Sequence, residues 1–330
     1  MRAKLLWLIT NSCAGDIISL LNSLHPDYRQ ITEEYFAFCY ETFLMAGEGN
    51  VATGVLEEAI SGPAGAYILV VEGTVPVAAE GLYCVIGLRN GKPWTALEAV
   101  RELAAKARYV VAAGTCAAFG GPYAAHPNPT GGKPVSAVIP QKVINVPGCP
   151  VHPAWIAGTL FHLVEHGEPR LDEYNRPVLY YGETIHDRCE RRHYFESGIF
   201  AQKPGEPWCM YKIGCKGPVT YADCPVRHWC GEHTNWPVGA NTPCIGCTSP
   251  EFPDRTAPFF EHLPDLRTPA GKVTADRVGL LTGAATALGI GAHLAANIAT
   301  GRLAHTLRKG KKIKNNHTKT QRRKDAKKNI

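Results

Sequence analysis

The chain has 330 residues, enough for about two domains that each bury a core, and too many for a disulfide-stapled miniprotein. Hydrophobic residues make up 45% and charged residues 19%, with 33 Gly and 25 Pro, so the sequence reads as globular and loop-rich, not disordered. The net charge of +6 is misleading, because residues 302–330 hold twelve Lys and Arg against Asp325 alone and leave the remaining body acidic. A nucleic-acid reader would carry its basic groups on a folded face. Here they sit in a low-complexity end, KGKKIKNN and RRKDAKK, so a solvated tail and no nucleic-acid partner are expected.

Four short β-rich runs come first, at residues 4–9, 67–71, 109–113 and 143–146, each largely apolar and closed by Gly, Asn, Glu or Pro. They read as buried parallel strands. Helix-like stretches lie between them, including residues 54–60 and 93–107, the latter with Trp94, Leu97, Val100 and Leu103 at helical spacing. The alternation predicts an α/β, doubly wound domain over residues 1–170. In open parallel sheets ligands bind outside the carboxyl ends of the strands. Those ends lead into Cys13-Ala14-Gly15-Asp16, Glu72-Gly73, Gly114-Thr115-Cys116 and Pro147-Gly148-Cys149-Pro150. Three of the four deliver a Cys to one edge. A lone Cys is usually an inert buried thiol, but three arriving together point to a site.

Residues 171–270 have another texture, crowded with Pro, Gly, aromatics and Cys and with little sustained period, as expected where inorganic centres organise the chain. Two ligand groups stand out. His186 and Cys189 form an i, i+3 pair and are followed by Cys209 and Cys215; Cys224 precedes the tight pair Cys244-Ile245-Gly246-Cys247. Such spacings suit closed zinc sites and iron–sulfur clusters alike. Small residues beside the Cys244 and Cys247 thiolates lean towards iron–sulfur.

The N-terminus MRAKLLWLITNSCAGD has no apolar run long enough for a signal peptide and no twin-arginine pair, so a cytoplasmic location is expected. In a reducing compartment the 12 Cys read as metal or redox ligands before disulfides. Residues 278–301 carry no formal charge and are long enough to span a bilayer, but Gly, Ala, Thr, His293 and Asn297 make them weakly apolar. An interaction helix within residues 271–301, or peripheral attachment at the cytoplasmic face, is expected there.

WLITNSCAGD, VVEGTVP, GTCAAFGG, VPGCPVHP, IHDRCERRHYF, CMYKIGCKGPVTYADCP and PCIGCTSPEFPD, in this order, resemble the small subunit of nickel-iron hydrogenases from about Leu5 to Leu266. That resemblance implies a flavodoxin-like domain followed by a loop-rich cluster-binding domain, and three iron–sulfur clusters. The proximal 4Fe-4S matches Cys13, Asp16, Cys116 and Cys149, and the distal 4Fe-4S matches His186, Cys189, Cys209 and Cys215. The medial cluster matches Cys224, Cys244 and Cys247. With three thiolates, and Pro237 near the place of a fourth ligand, a 3Fe-4S cluster is implied there.

The family usually has CxxC in the first loop, whereas this chain has Asp16 at the second position. An Asp there resembles the high-affinity, actinobacterial-type uptake hydrogenases and implies a carboxylate ligand. The alternative is that Asp16 caps a helix over residues 17–21. Gly15 and Gly121 stand where oxygen-tolerant membrane-bound enzymes carry two extra Cys, so the modified 4Fe-3S cluster is not implied. Cys39 and Cys84 read as core, Cys230 is left outside the medial set, and His193, His228 and His233 read as surface or supporting residues.

The implied role is electron transfer. Dihydrogen is split at a nickel-iron centre on a separate large subunit, since this chain lacks that family's paired CxxC metal motifs. Electrons leave near His186 to a quinone or a small iron–sulfur or cytochrome carrier, and a higher oligomer of heterodimers is implied. The rival readings are a zinc-stabilised nucleic-acid-binding protein and a complex-I-like quinone-reducing subunit with one cluster. The latter family shares only the first half of the pattern.

Overall fold

The computed structural model describes residues 2–229, 233–259, 266–268, 271–273 and 275–301. The chain divides into two compact units after Leu263.

In the first unit, aliphatic runs form β1 (Ala3–Ile9), β2 (Phe36–Glu41), β3 (Tyr67–Glu72), β4 (Tyr109–Ala113) and β5 (Val143–Val146). All neighbours pair in parallel in the order β2-β1-β3-β4-β5, the flavodoxin-like arrangement. Successive β1 side chains serve opposite faces: Leu5 and Trp7 join one core cluster, Leu6 and Leu8 the other. Helices α1 (Gly15–Leu20), α2 (Gly49–Ser61), α3 (Ala96–Ala104), α4 (Gly114–Phe119) and α5 (Pro153–Glu165) cover the sheet. Ile17, Leu20, Trp155, Ile156 and Leu160 pack on the first face, and Leu56, Val100 and Leu103 on the second. With both faces covered, β3 and β5 are buried along their whole length, which explains their largely apolar sequence.

Two expectations need correction. The sheet has a fifth strand, β2, at its edge, where only half of the side chains are buried and the apolar signal is diluted. The helix expected over residues 93–107 begins at Ala96, because Lys92–Thr95 pairs antiparallel with Val85–Arg89. Thr95 accepts the Glu98 N–H at 3.2 Å and Glu98 reaches back to the Thr95 N–H at 3.2 Å, a capping box that fixes the start.

Residues 170–259 fold as short helical turns, including Val178–Tyr181, His186–Arg188, Arg192–Glu196 and Cys224–Arg227, joined by loops and isolated bridges. Tyr180, Tyr181, Ile185, Cys224, Trp236, Val238 and Cys244 extend the first core cluster across from Trp155. The second unit contains an antiparallel hairpin, Leu266–Thr268 with Gly271–Val273, and α6 (Ala275–Ala299). Residues Leu280–Ala299 are long and apolar enough to cross a membrane by length and composition. The tail at 302–330 lies outside the described residues.

Candidate functional site

The loops leaving β1, β4 and β5 bring Cys13, Cys116 and Cys149 to one edge of the sheet, beside the β1–β3 position where strand order switches. Cys13 and Cys149 are exposed and Cys116 is half-buried. Burial first, then the neighbouring charges of Asp16 and Cys13, pushes the Cys116 thiol up to about 12. Cys149 is pushed up to about 12 by burial and by Cys116, Cys247, Asp16 and Cys13. These groups share one pocket of electrostatic influence. The backbone is correspondingly tight: a Cβ on Gly121, whose φ is +47°, would lie 3.0 Å from the Cys116 sulfur, and one on Gly114, at φ +78°, would overlap the Asp16 carboxylate.

Asp16 is not a helix cap. The N-cap of α1 is Ala14, at φ 59° and without a side-chain cap. Glu72, fully buried at the end of β3, replaces the cap: its carboxylate accepts the N–H groups of Asp16 and Ile17 at 3.1 Å each, the Ser12 hydroxyl at 3.0 Å and the Trp7 indole N–H at 2.9 Å. The Asp16 side chain is thereby freed to reach across the edge, where Oδ1 accepts the Val151 N–H at 2.7 Å just beyond Cys149. Burial, with repulsion from Glu72 second, holds the Asp16 carboxyl well above the usual range, against the opposing Val151 bond. Burial likewise raises Glu72.

The two later groups also assemble. Cys189, Cys209 and Cys215 act on one another, and burial raises all three, Cys189 to about 11. His186 lies on the turn before Cys189, its ring 4.6 Å from Phe195, and a Cβ on Gly217 would meet both the Cys215 sulfur and the His186 backbone. Cys224, Cys244 and Cys247 form the third set, each raised by burial first. The Trp229 indole N–H donates to the Cys224 sulfur at 3.4 Å. Pro237 lies between buried Trp236 and Val238.

The sets are also linked to each other. The Thr115 hydroxyl, which accepts the Gly148 N–H beside Cys149, donates to the Cys247 carbonyl, and the Lys216 N–H, beside Cys215, donates to the Cys244 carbonyl at 2.8 Å. The set containing Cys244 and Cys247 therefore stands between the other two. Among the described residues no three His, Cys, Asp or Glu side chains converge on a point that would hold a single ion.

Cys39 packs partly buried against the second core cluster and Cys84 is half-buried, both apart from the three sets, and His193 is exposed. His228 gives its carbonyl, and His233 its ring face at 5.7 Å, to buried His152. Cys230 lies outside the described residues. Sequence reasoning assigned no role to Glu72, Thr115 or Trp229. A charged residue ending the apolar run YILVVE was the visible sign of Glu72.

Two family models match this chain. Residues 13–163 match the family model of the NADH ubiquinone oxidoreductase 20 Kd subunit, and residues 181–260 that of the C-terminal region of the NiFe/NiFeSe hydrogenase small subunit. The quinone-reactive Ni/Fe-hydrogenase small chain of Wolinella succinogenes is 39% identical over 304 residues, 88% of this chain and 85% of that one. The uptake hydrogenase small subunit of Azotobacter vinelandii is 36% identical over 94% of this chain and 85% of its own length. Among solved structures, the NiFeSe hydrogenase of Desulfomicrobium baculatum superposes with a TM-score of 0.76 at 38% identity, over 80% of this chain and 100% of that one. The actinobacterial-type NiFe-hydrogenase of Ralstonia eutropha H16 gives 0.75 at 31%, over 80% and 83%. Similarity of this extent, spanning both halves where the complex-I model covers only the first, shows that the chain belongs to the nickel-iron hydrogenase small-subunit family.

Proposed function

We propose that this chain is the electron-transfer subunit of an uptake hydrogenase, carrying electrons from a large subunit with the nickel-iron site to an external acceptor. The observation that carries the reading is the order of the three ligand sets, the first joined to the second through the Thr115 hydroxyl and the second to the third through the Lys216 N–H on the Cys244 carbonyl. Cys13, Asp16, Cys116 and Cys149 would hold a proximal 4Fe-4S cluster, Cys224, Cys244 and Cys247 a medial 3Fe-4S cluster, and His186, Cys189, Cys209 and Cys215 a distal 4Fe-4S cluster. Bound there, each supplies a one-electron store whose potential follows ligand type, hydrogen bonds to sulfur and exposure.

The chain's own residues divide the work of holding these groups. Exposed Cys13 and Cys149 put the proximal set at the surface offered to the large subunit. Asp16 keeps Oδ1 on the Val151 N–H and leaves Oδ2 to bind iron. Cys224 and Cys244, 5% and 7% exposed, shield the medial set from water. Half-buried His186 gives the distal set an outlet to a quinone or a small protein carrier.

A cytoplasmic location, peripheral to the membrane, belongs to the same proposal: a basic segment beside a weakly apolar helix is attracted to the anionic cytoplasmic leaflet. The test is an anaerobic co-purification with the partner. About eleven irons in this chain, with acid-labile sulfide, are expected, and about four would sink the three-cluster relay. Release of the complex from membranes by a salt wash checks the peripheral attachment.

A further inference from the structure

One side chain ties the first ligand set to the second. Thr115 is 1% exposed and immediately precedes Cys116. Its hydroxyl accepts the Gly148 N–H at 2.9 Å and donates to the Cys247 carbonyl. Its own N–H donates to the Gly148 carbonyl at 2.8 Å. The hydroxyl proton is thus committed to one partner and a lone pair to another, which fixes the rotamer as well as the contact. Every group it touches neighbours or belongs to a ligand: Cys149 follows Gly148, and the accepting carbonyl is that of Cys247 itself.

The consequence is a short route between the two sets. From the Cys149 sulfur a covalent path runs through its Cβ, Cα and backbone to the Gly148 amide, whose proton meets the Thr115 hydroxyl, and that hydroxyl donates to the Cys247 carbonyl. Electron transfer falls off more steeply across empty space than through bonds and hydrogen-bonded contacts, so the closeness of this pair matters to the rate. The next link, between Cys244 and Cys215, runs through the Lys216 N–H on the Cys244 carbonyl at 2.8 Å, with the Thr220 hydroxyl donating to the Lys216 carbonyl at 2.7 Å. In the first link a side-chain hydroxyl lies on the path itself.

We propose that Thr115 is a positioning residue for electron transfer between the proximal and medial sites, its hydroxyl holding the Gly148–Cys149 loop against the Cys247 carbonyl along the path the electron takes. The step moves one electron from the reduced proximal cluster to the oxidised medial one, with no bond made or broken and no proton moved. The inference rests on the ligand assignment given under Proposed function.

The test uses the complex with the large subunit. Thr115→Val keeps the shape and removes both hydrogen bonds, whereas Thr115→Ser keeps the hydroxyl. Both variants are expected to retain the parent's iron content and hydrogen–deuterium exchange at the nickel site. Reduction of the medial cluster after mixing with hydrogen, followed by rapid freezing and magnetic resonance, is expected to slow roughly tenfold in Thr115→Val and to recover in Thr115→Ser. A Val variant as fast as the parent overturns the proposal, and so does a Ser variant as slow as Val. Loss of medial iron from the Val variant also overturns it, since Thr115 would then anchor a ligand loop and not a transfer contact. Absence of a medial cluster from the parent complex would be seen before any variant is made, and would remove the ligand assignment itself.

Discussion

The sheet domain and residues 170–259 are buried by different means. In the first, Leu5, Leu69, Val70, Val111 and Val146 are sealed by apolar contact with helices on both faces. In the second, the buried groups include thiols and cations. Arg176, 3% exposed, is paired with Asp172 at 2.8 Å and reaches the Thr248 carbonyl. Arg191, 7% exposed, donates to the carbonyls of Glu206 and Trp208 at 2.9 and 3.2 Å and to Asn241, and its charge eases the ionisation of Cys209 and Cys215. Arg176 is thus neutralised by a carboxylate, while Arg191 is held by carbonyls and an amide and adds positive charge beside two thiols. The second region is accordingly the one in which the proposed clusters would carry part of the folding free energy.

Removing iron should break that comparison open, with the largest effect expected of any perturbation. In anaerobically chelated protein, amide hydrogen exchange is expected to rise steeply across residues 186–247 while amides of β1, β3, β4 and β5 remain protected. Uniform loss of protection in both regions would show that the sheet also leans on its metal. Uniform retention would show that the second region holds itself together.

Asp16 stands where the two modes meet, because a sheet-domain loop supplies a group proposed to bind iron. Asp16→Asn keeps an acceptor for the Val151 N–H, and the α1 cap is untouched because Glu72 provides it. Its expected effect is therefore confined to ligation: a labile or iron-depleted proximal cluster and reduced hydrogen-dependent dye reduction. Asp16→Cys is expected to keep the cluster and alter its potential and magnetic spectrum. Both variants are read by iron content and proximal-cluster spectra in the assembled complex, and an Asn variant identical to the parent would exclude ligation.

The same contrast explains how much was legible beforehand. Four strands and the edge receiving Cys13, Cys116 and Cys149 follow from apolar runs and what ends them, since a strand buried on both faces writes its position directly into composition. The edge strand Phe36–Glu41 is half-exposed and mixes Cys and Glu among aromatics, so its signal is weak. The start of α3 was readable in Thr95-Ala96-Leu97-Glu98, a capping box hidden by apolar Trp94, whose burial belongs to a hairpin. In the second region, Cys spacing and the family resemblance defined the groups. What joins them was not readable: Thr115 meets Cys247 across 132 positions, and Trp229 matters for where its indole proton points.

A smaller effect concerns pH. His152, 2% exposed, directs Nε2 at the His228 carbonyl at 2.7 Å, so this nitrogen carries the proton, while Nδ1 accepts the Ala154 N–H at 3.1 Å and caps α5. A second proton would face that N–H. Burial, with Arg227 and His233 acting the same way against Asp223 and the His228 bond, lowers its pKa to about 4. A depressed basic pKa means that the stabilisation is complete above the unfolded value of about 6.5 and is lost as pH falls towards about 4. His152→Asn, which retains a capping oxygen and does not titrate, is expected to flatten the fall of the unfolding midpoint in that window. An unchanged slope would place the pH sensitivity elsewhere.

The mildest perturbation sharpens the comparison at a single atom. Trp229 packs its ring 4.7 Å from His152 and 5.7 Å from Trp155, which belong to the sheet-side core, while its N–H meets the Cys224 sulfur. Its ring thus serves apolar packing, while its one indole proton goes to a thiol proposed to hold the medial cluster. A hydrogen bond to a ligand sulfur favours the more negative, reduced state and raises the potential. Trp229→Phe keeps most of the aromatic surface and deletes the donor, so the medial cluster is expected to titrate lower by a few tens of millivolts, the equivalent of roughly 1 kcal/mol. Iron content should stay at the parent's level, and the proximal and distal potentials should not move, because neither set touches this indole. A redox titration of the anaerobic complex followed by magnetic resonance resolves the three signals. A medial potential unchanged in a fully loaded Phe variant would mean that the indole is there for its ring alone, and that the second region borrows from apolar packing even beside its thiolates.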